Sequence, residues 1–187
     1  MIESQQKIGV SFAVEGRAAE DAVRLNAALA QSFGSQIHLG AGGNSRPHVT
    51  IALGEADEVA LVSIIALVRR AVRDMRPFRM SFGQVARETV TGRYVLADVL
   101  VPEHAAAWRS TLHAKVAHHL SGVSRTTDEP HLTIAVPGDQ QSTVDRFLAV
   151  HAHHPIADCR VTHVDVAHAG ARGAKGDIIE RFRLGAS

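Results

Sequence analysis

Cysteine, lysine and aromatic side chains are all scarce in this 187-residue sequence. Cys159 is the only cysteine, which rules out an intrachain disulfide framework. Aromatic residues make up 4%, leaving little surface for stacking the bases of a long oligonucleotide. Only Lys7, Lys115 and Lys175 are lysines; arginine supplies the rest of the positive charge. Twenty Lys+Arg stand against nineteen Asp+Glu, a formal net charge of +1, so no strong field draws the chain to bulk DNA or to an anionic membrane. No apolar run approaches the roughly 18–20 residues that span a bilayer. The start of the chain also lacks the pattern of a secretion signal, so a cytoplasmic location is expected. What is present is a hydrophobic fraction of 45%, enough to bury a core.

Periods of two and of about 3.6 residues alternate along the chain. Ile8, Val10, Phe12 and Val14 read as a half-buried strand. Ala22, Leu25, Leu29 and Phe33 follow at helical spacing, with Gly34 as the stop. A strand over HVTIAL comes next, then a helix through Leu61, Ile65, Val68, Val72 and Met75 that ends at Arg76-Pro77, and a weaker strand over 78–86. The order then repeats. A strand covers 94–101, a helix 103–120 has Ala105, Trp108, Leu112 and Val116 inward, and a second strand reads HLTIAV. A helix opened by Asp139 follows, with strands near 156–168 and 177–184. The expectation is one bilobal domain over 1–187, built from repeats of approximately 7–87 and 92–168 with a closing strand at 177–184.

The duplication is sharpest in two heptapeptides. Pro47-His48-Val49-Thr50-Ile51-Ala52-Leu53 matches Pro130-His131-Leu132-Thr133-Ile134-Ala135-Val136 at five of seven positions. Shared ancestry of a fold accounts for the matching aliphatics, but not for a histidine and a threonine in both copies. Strict alternation puts His48, Thr50 and Ala52 on one face, with Val49, Ile51 and Leu53 toward the helices. It divides His131, Thr133 and Ala135 from Leu132, Ile134 and Val136 in the same way. Two imidazoles and two hydroxyls facing one groove form an acid–base pair with donors for the oxygens of a phosphoryl group.

These two His-x-Thr strands, in matching heptapeptides and a duplicated frame, resemble those of the 2H phosphoesterase superfamily, which includes RNA 2′,3′-cyclic phosphodiesterases also described as 2′-5′ RNA ligases. The resemblance covers nearly the whole chain. It implies an α/β (α+β) bilobal fold in which two mainly antiparallel sheets flank a central groove, with helices outside. It also implies cyclic-phosphate hydrolysis with no metal and no other cofactor. His48 and His131 become the acid–base pair, Thr50 and Thr133 the phosphate donors, and the substrate a cyclic phosphate on a nucleotide or RNA end. In the direction the resemblance suggests, His131 takes a proton from water and His48 protonates the departing ribose oxygen. Alternatives are cleavage of 2′-5′ oligonucleotides or of another cyclic nucleotide, and a module that binds phosphate or an RNA end without turnover.

Five further residues are weaker substrate-binding candidates: Ser11 on the first strand, Arg46 and Arg125 just before the two motifs, Tyr94 as the only tyrosine, and His163. His163 shares a strand face with Asp165. His151, His153 and His154 lack any accompanying metal motif, and Arg69, Arg73 and Arg76 read as a solvated helix face before an RNA track.

Overall fold

A computed structural model describes residues 5–89, 91–122, 129–137, 141–151 and 155–185. Strand β1 (Gln6–Ala13) leads into helix α1 (Gly16–Phe33), followed by β2 (His48–Ala56), α2 (Glu58–Ala71) and β3 (Phe78–Arg87). The second repeat runs β4 (Val95–Leu100), α3 (Glu103–Ala117), β5 (His131–Ala135), α4 (Gln141–His151), β6 (Cys159–Val161) and β7 (His163–Ala169). A 3-10 turn at Ala171–Gly173 leads into β8 (Lys175–Arg183).

Local chemistry accounts for most boundaries. Helix α1 buries Ala18, Ala22 and Leu29 and stops at Gly34, whose φ of 69° suits a residue without a Cβ. Helix α2 is capped by the Asp57 carboxylate, which accepts the Ala60 amide at 2.7 Å. It ends at Ala71, short of the proline; a turn follows in which the Met75 amide reaches the Val72 carbonyl, and that carbonyl also accepts the Gly185 amide at 2.9 Å. The expected strand over 156–168 is two: β6 pairs with β3, and after Thr162 the chain turns onto β1 as β7. The expected opening residue of α4, Asp139, lies outside the described residues.

All ladders are antiparallel, and the sheet order is β6-β3-β4-β5-β2-β1-β7-β8. The two motif strands lie side by side at the centre, joined at Val49–Leu132. Outward from them the order is palindromic in role: β1 answers β4, β7 answers β3 and β8 answers β6. Each repeat therefore sends its last strand across, β3 pairing with β4 and β7 with β1. The helices cross as well, α1 packing on β5 and α3 on β2. The two sequence repeats are thus interlocked, and one continuous core runs from Ile8, Phe12 and Leu29 through Ile51 and Val68 to Leu112, Leu132 and Ile134. Phe12 sits near its middle, stacked on Trp108 and edge-on to Phe78.

Candidate active site

Both motif strands carry a β-bulge at the same place. Between β1 and β2 the register passes from Ser11–Thr50 to Val10–Ala52, which leaves Ile51 as an extra residue. Between β4 and β5 it passes from Leu96–Thr133 to Val95–Ala135, which leaves Ile134 extra. Each bulge follows the threonine directly and re-aims the strand beyond it. Alternation therefore fails past that point: Ala52 and Ala135 are fully buried in the core, and Leu53 lines the pocket beside His48. The His-x-Thr segments keep the expected facing, with His48, Thr50, His131 and Thr133 partly exposed between buried neighbours.

Polar side chains on the helices support the backbone here. Buried Asn26 of α1 donates from Nδ2 to the carbonyls of Ile134 and Ile37, both at 2.8 Å, and accepts the Leu39 amide. Buried Arg109 of α3 donates from Nη2 to the Thr50 carbonyl at 3.3 Å. A bulge interrupts the ladder, so carbonyls near it need partners from elsewhere. Periodicity gave no sign of these two residues, because a polar group inside a helix face breaks the apolar stripe.

The two histidines are held alike. Nδ1 of His48 donates to the Arg46 carbonyl at 2.7 Å, and Nδ1 of His131 donates to the Glu129 carbonyl at 3.0 Å. A carbonyl only accepts, so each contact fixes the proton on Nδ1 and leaves Nε2 as the reactive nitrogen.

Their surroundings are not alike. Across the groove face from Thr50 the strands present Ser11 of β1, Asp165 of β7 and Arg181 of β8. Across from Thr133 the equivalent positions are Leu96 of β4 and Ala86 of β3. One row is ionic and the other apolar. Asp165 is completely buried and accepts from Lys175 Nζ at 2.6 Å, Arg181 Nε at 2.7 Å and Arg181 Nη2 at 2.9 Å. Arg181 reaches on to Glu15 at 2.8 Å. Burial opposes ionisation of Asp165, but the two cations overcome it and hold the carboxyl below its usual range. Lys175 is 4% exposed and shifts downward through burial, with Asp165 opposing. His48 is pushed down to about 4, first by desolvation among its neighbours and then by the Lys175 charge, so it is neutral at physiological pH.

A small pocket beside His48 is lined by Ser11, Thr50, Leu53, His168, Gly173 and Lys175, among others. Ser11 thus stands in the groove. Arg46 is exposed and contributes its carbonyl to His48. Tyr94 packs partly buried against the core just before β4, and His163 contacts Thr162 at 2.9 Å and Glu15 at 3.4 Å; neither lines this pocket. Arg125, His153 and His154 lie outside the described residues. Arg69 of the arginine stripe pairs with Glu180 at 2.8 Å and lies over the Phe182 ring. Among the described residues, no three His, Cys, Asp or Glu side chains group as metal ligands, and no helix is long and apolar enough to cross a membrane. Sequence reasoning missed Lys175 and Arg181 altogether; that lysine is so rare in this chain was the one available signal.

A family model described as the 2′-5′ RNA ligase superfamily matches residues 60–172, more than half the chain, and so includes the second motif but not the first. No curated protein matches. Among solved structures, apo LigT of E. coli superposes with a TM-score of 0.65 at 17% identity, over 96% of this chain and 98% of that one. LigT complexed with 3′-AMP gives 0.65 at 16%, over 97% and 99%. TT0787 of Thermus thermophilus gives 0.67 at 19%, over 96% and 98%. At such identities the likeness is one of fold, and it extends across the whole chain.

Proposed function

The chain belongs to the 2′-5′ RNA ligase superfamily, within the 2H phosphoesterases, and from that premise we propose that it hydrolyses a cyclic phosphate, with the 2′,3′-cyclic phosphate of a nucleotide or RNA end as the substrate class. Membership supports phosphoesterase- or ligase-type chemistry. The observation that carries the narrower reading is the matched pair of imidazoles on adjacent strands, each with Nδ1 tied to a carbonyl two residues before it and a threonine two residues after it.

In this reading the phosphorus sits between the two Nε2 atoms. One imidazole takes a proton from water as the water oxygen bonds to phosphorus. The bond to one ribose oxygen breaks, and the other imidazole gives that oxygen its proton. The hydroxyls of Thr50 and Thr133 donate to the nonbridging oxygens, where charge accumulates. Acid, base and oxyanion donors are then all supplied by the chain, so the step requires no metal. Ser11, beside Thr50 in register, adds a further hydroxyl in this reading. A nucleotide ligand agrees with the 3′-AMP complex of the E. coli neighbour.

The test is a panel of 2′,3′-cyclic, 3′,5′-cyclic and 2′-5′-linked nucleotides assayed in chelator, with the position of the product phosphate read by NMR. Turnover of the 2′,3′-cyclic compounds that persists in chelator and disappears in both H48A and H131A is the expected result. A protein that binds these compounds and returns them unchanged is a binding module, and activity abolished by chelator removes the metal-free mechanism.

A further inference from the structure

The sheet carries a second concavity, away from the histidines. An open cleft of about 370 Å³ lies where β3 meets the edge strand β6, between Pro77, Phe78 and Arg79 on one side and Asp158, Cys159 and Arg160 on the other. Its volume is that of a small-ligand site. Phe78 and Cys159 are buried, whereas Arg79, Asp158 and Arg160 are exposed. Arg79 and Arg160 are cross-strand partners in the β3–β6 ladder, so two guanidinium groups stand side by side on one face of the sheet. Like charges directly opposite each other destabilise an antiparallel pair. A single carboxylate in the cleft answers them: Asp158 accepts from Arg79 Nε at 2.6 Å, and among the described residues Arg160 has no ion-pair or hydrogen-bond partner. The turn before β3 adds exposed Arg76, with exposed Asp74 two residues earlier. In a chain whose net charge is only +1, this is a local excess of positive charge that an anion relieves, and neighbouring guanidinium groups match the oxygens of a phosphate.

The two arginines share a face with the histidines. Asp98 of β4 lies across from His131, and Leu100 follows on the same face. Ser81 of β3 is the partner of Leu100, and Arg79 is the next residue of β3 on that face. Strand spacing and rise per residue put Arg79 and Arg160 roughly 15–20 Å from His131, measured along the sheet. A mononucleotide held between the histidines falls short of that distance. The ground between is not basic: Asp98 is an exposed acid, exposed Glu129 precedes His131 by two residues, and Leu100 and Ser81 carry no charge. The cationic positions on this side are therefore spaced, not continuous.

We propose that Arg79 and Arg160 form a second phosphate-binding site, which takes a backbone phosphate of an RNA strand whose terminal cyclic phosphate lies between His48 and His131. This rests on the reading of the groove as a phosphodiesterase site and names its substrate as an oligonucleotide. Asp158 fixes Arg79, leaving Arg160 to meet the incoming oxygens. The contact is to phosphate and carries no sequence information, in keeping with a chain that has few aromatic side chains on which to stack bases.

The test needs no turnover. A labelled RNA hexanucleotide ending in a 3′-phosphate is titrated against the protein by fluorescence anisotropy, and 3′-AMP by calorimetry. The hexanucleotide is expected to bind at least about tenfold tighter than 3′-AMP, and R160Q and R79Q each to reduce that advantage about fivefold, with a shallower dependence on salt. R70Q, which removes an equal charge from the exposed surface of α2, keeps the advantage. The Arg160 Nε–H resonance, assigned by its loss in R160Q, shifts with the hexanucleotide and not with 3′-AMP or inorganic phosphate at the same concentration. Equal affinity for the two nucleotides, an equal loss in R70Q, or the same Arg160 shift with inorganic phosphate alone overturns the proposal. If the length advantage and its dependence on the two arginines hold while no cyclic phosphate is turned over, the hydrolytic reading fails and the second site stands; turnover of cyclic phosphates with no length advantage gives the reverse.

Discussion

The two halves of the sheet share a plan and differ in what surrounds it. In each, a central strand carries His-x-Thr, bulges at the next residue, and rests on a helix from the other repeat. Beside β2, however, lies an ionic network in which buried Lys175 and Asp165 join partly exposed Arg181 and Glu15, and beside β5 lie Leu96 and Ala86, with exposed Asp98 across from His131. The comparison separates two requirements. Catalysis by a paired acid and base needs two imidazoles in like geometry, which a duplication supplies. It also needs them in different protonation states, which a duplication by itself cannot supply, and the flanking strands differ where the motif strands do not.

The sharpest way to break the comparison is to remove the imidazoles singly. H48A and H131A should each lower turnover of a 2′,3′-cyclic nucleotide by about 10²–10⁴-fold. A variant that keeps near-wild-type rate removes that histidine from the chemistry. Next are the hydroxyls. T50V and T133V should each cost about 10²–10³ in kcat, since each removes one donor to the developing charge. Losses of equal size, measured on the same substrate, support phosphate held between the halves; a loss confined to T50V places it on the ionic side alone.

Stability should divide the halves too. Asp165→Ala leaves Lys175 and Arg181 facing a buried void, and it should destabilise the fold by about 3–5 kcal/mol in urea titration. Arg87→Ala, which breaks an exposed pair with Asp145 on the other side, should leave the denaturation midpoint nearly unchanged.

The smallest effect expected is a pH dependence. His48 is depressed to about 4 in the folded protein, so the unfolded chain binds a proton that the folded one does not between the ordinary histidine value and about pH 4. This contribution is fully present above pH ~6.5 and is lost as pH falls toward 4, on the order of 1–2 kcal/mol after allowance for the partly open ring. The wild-type midpoint should fall faster with acid than that of H48Q, and parallel curves would remove His48 as the source.

Much of the site is legible in the amino-acid sequence, because its signal is local. A histidine and a threonine two residues apart, twice, need only the pleat of a strand to share a face, and both motif segments do. Legibility ends at the residue after each threonine. Ile51 and Ile134 are as β-prone as any strand residue, and nothing in HVTIAL or HLTIAV distinguishes a regular ladder from a bulged one. The partner strand sets the register, and the resulting inversion sends Ala52 and Ala135 inward and Leu53 outward. Asn26 and Arg109 are hidden for a related reason: each serves a carbonyl in another element, and sequence periodicity sees one element at a time.

The amino-acid sequence alone determined the elements, the duplication and the four residues that face the groove, since all of these follow from periodicities of two and 3.6 and from short motifs. The tertiary structure decided that the repeats exchange their last strands, and so which side chains flank each histidine. Lys175 lies far along the chain from His48, and only the pairing of β7 with β1 and of β8 with β7 brings a buried ammonium to that ring. Charge acts through space, and distance in space is what a fold creates.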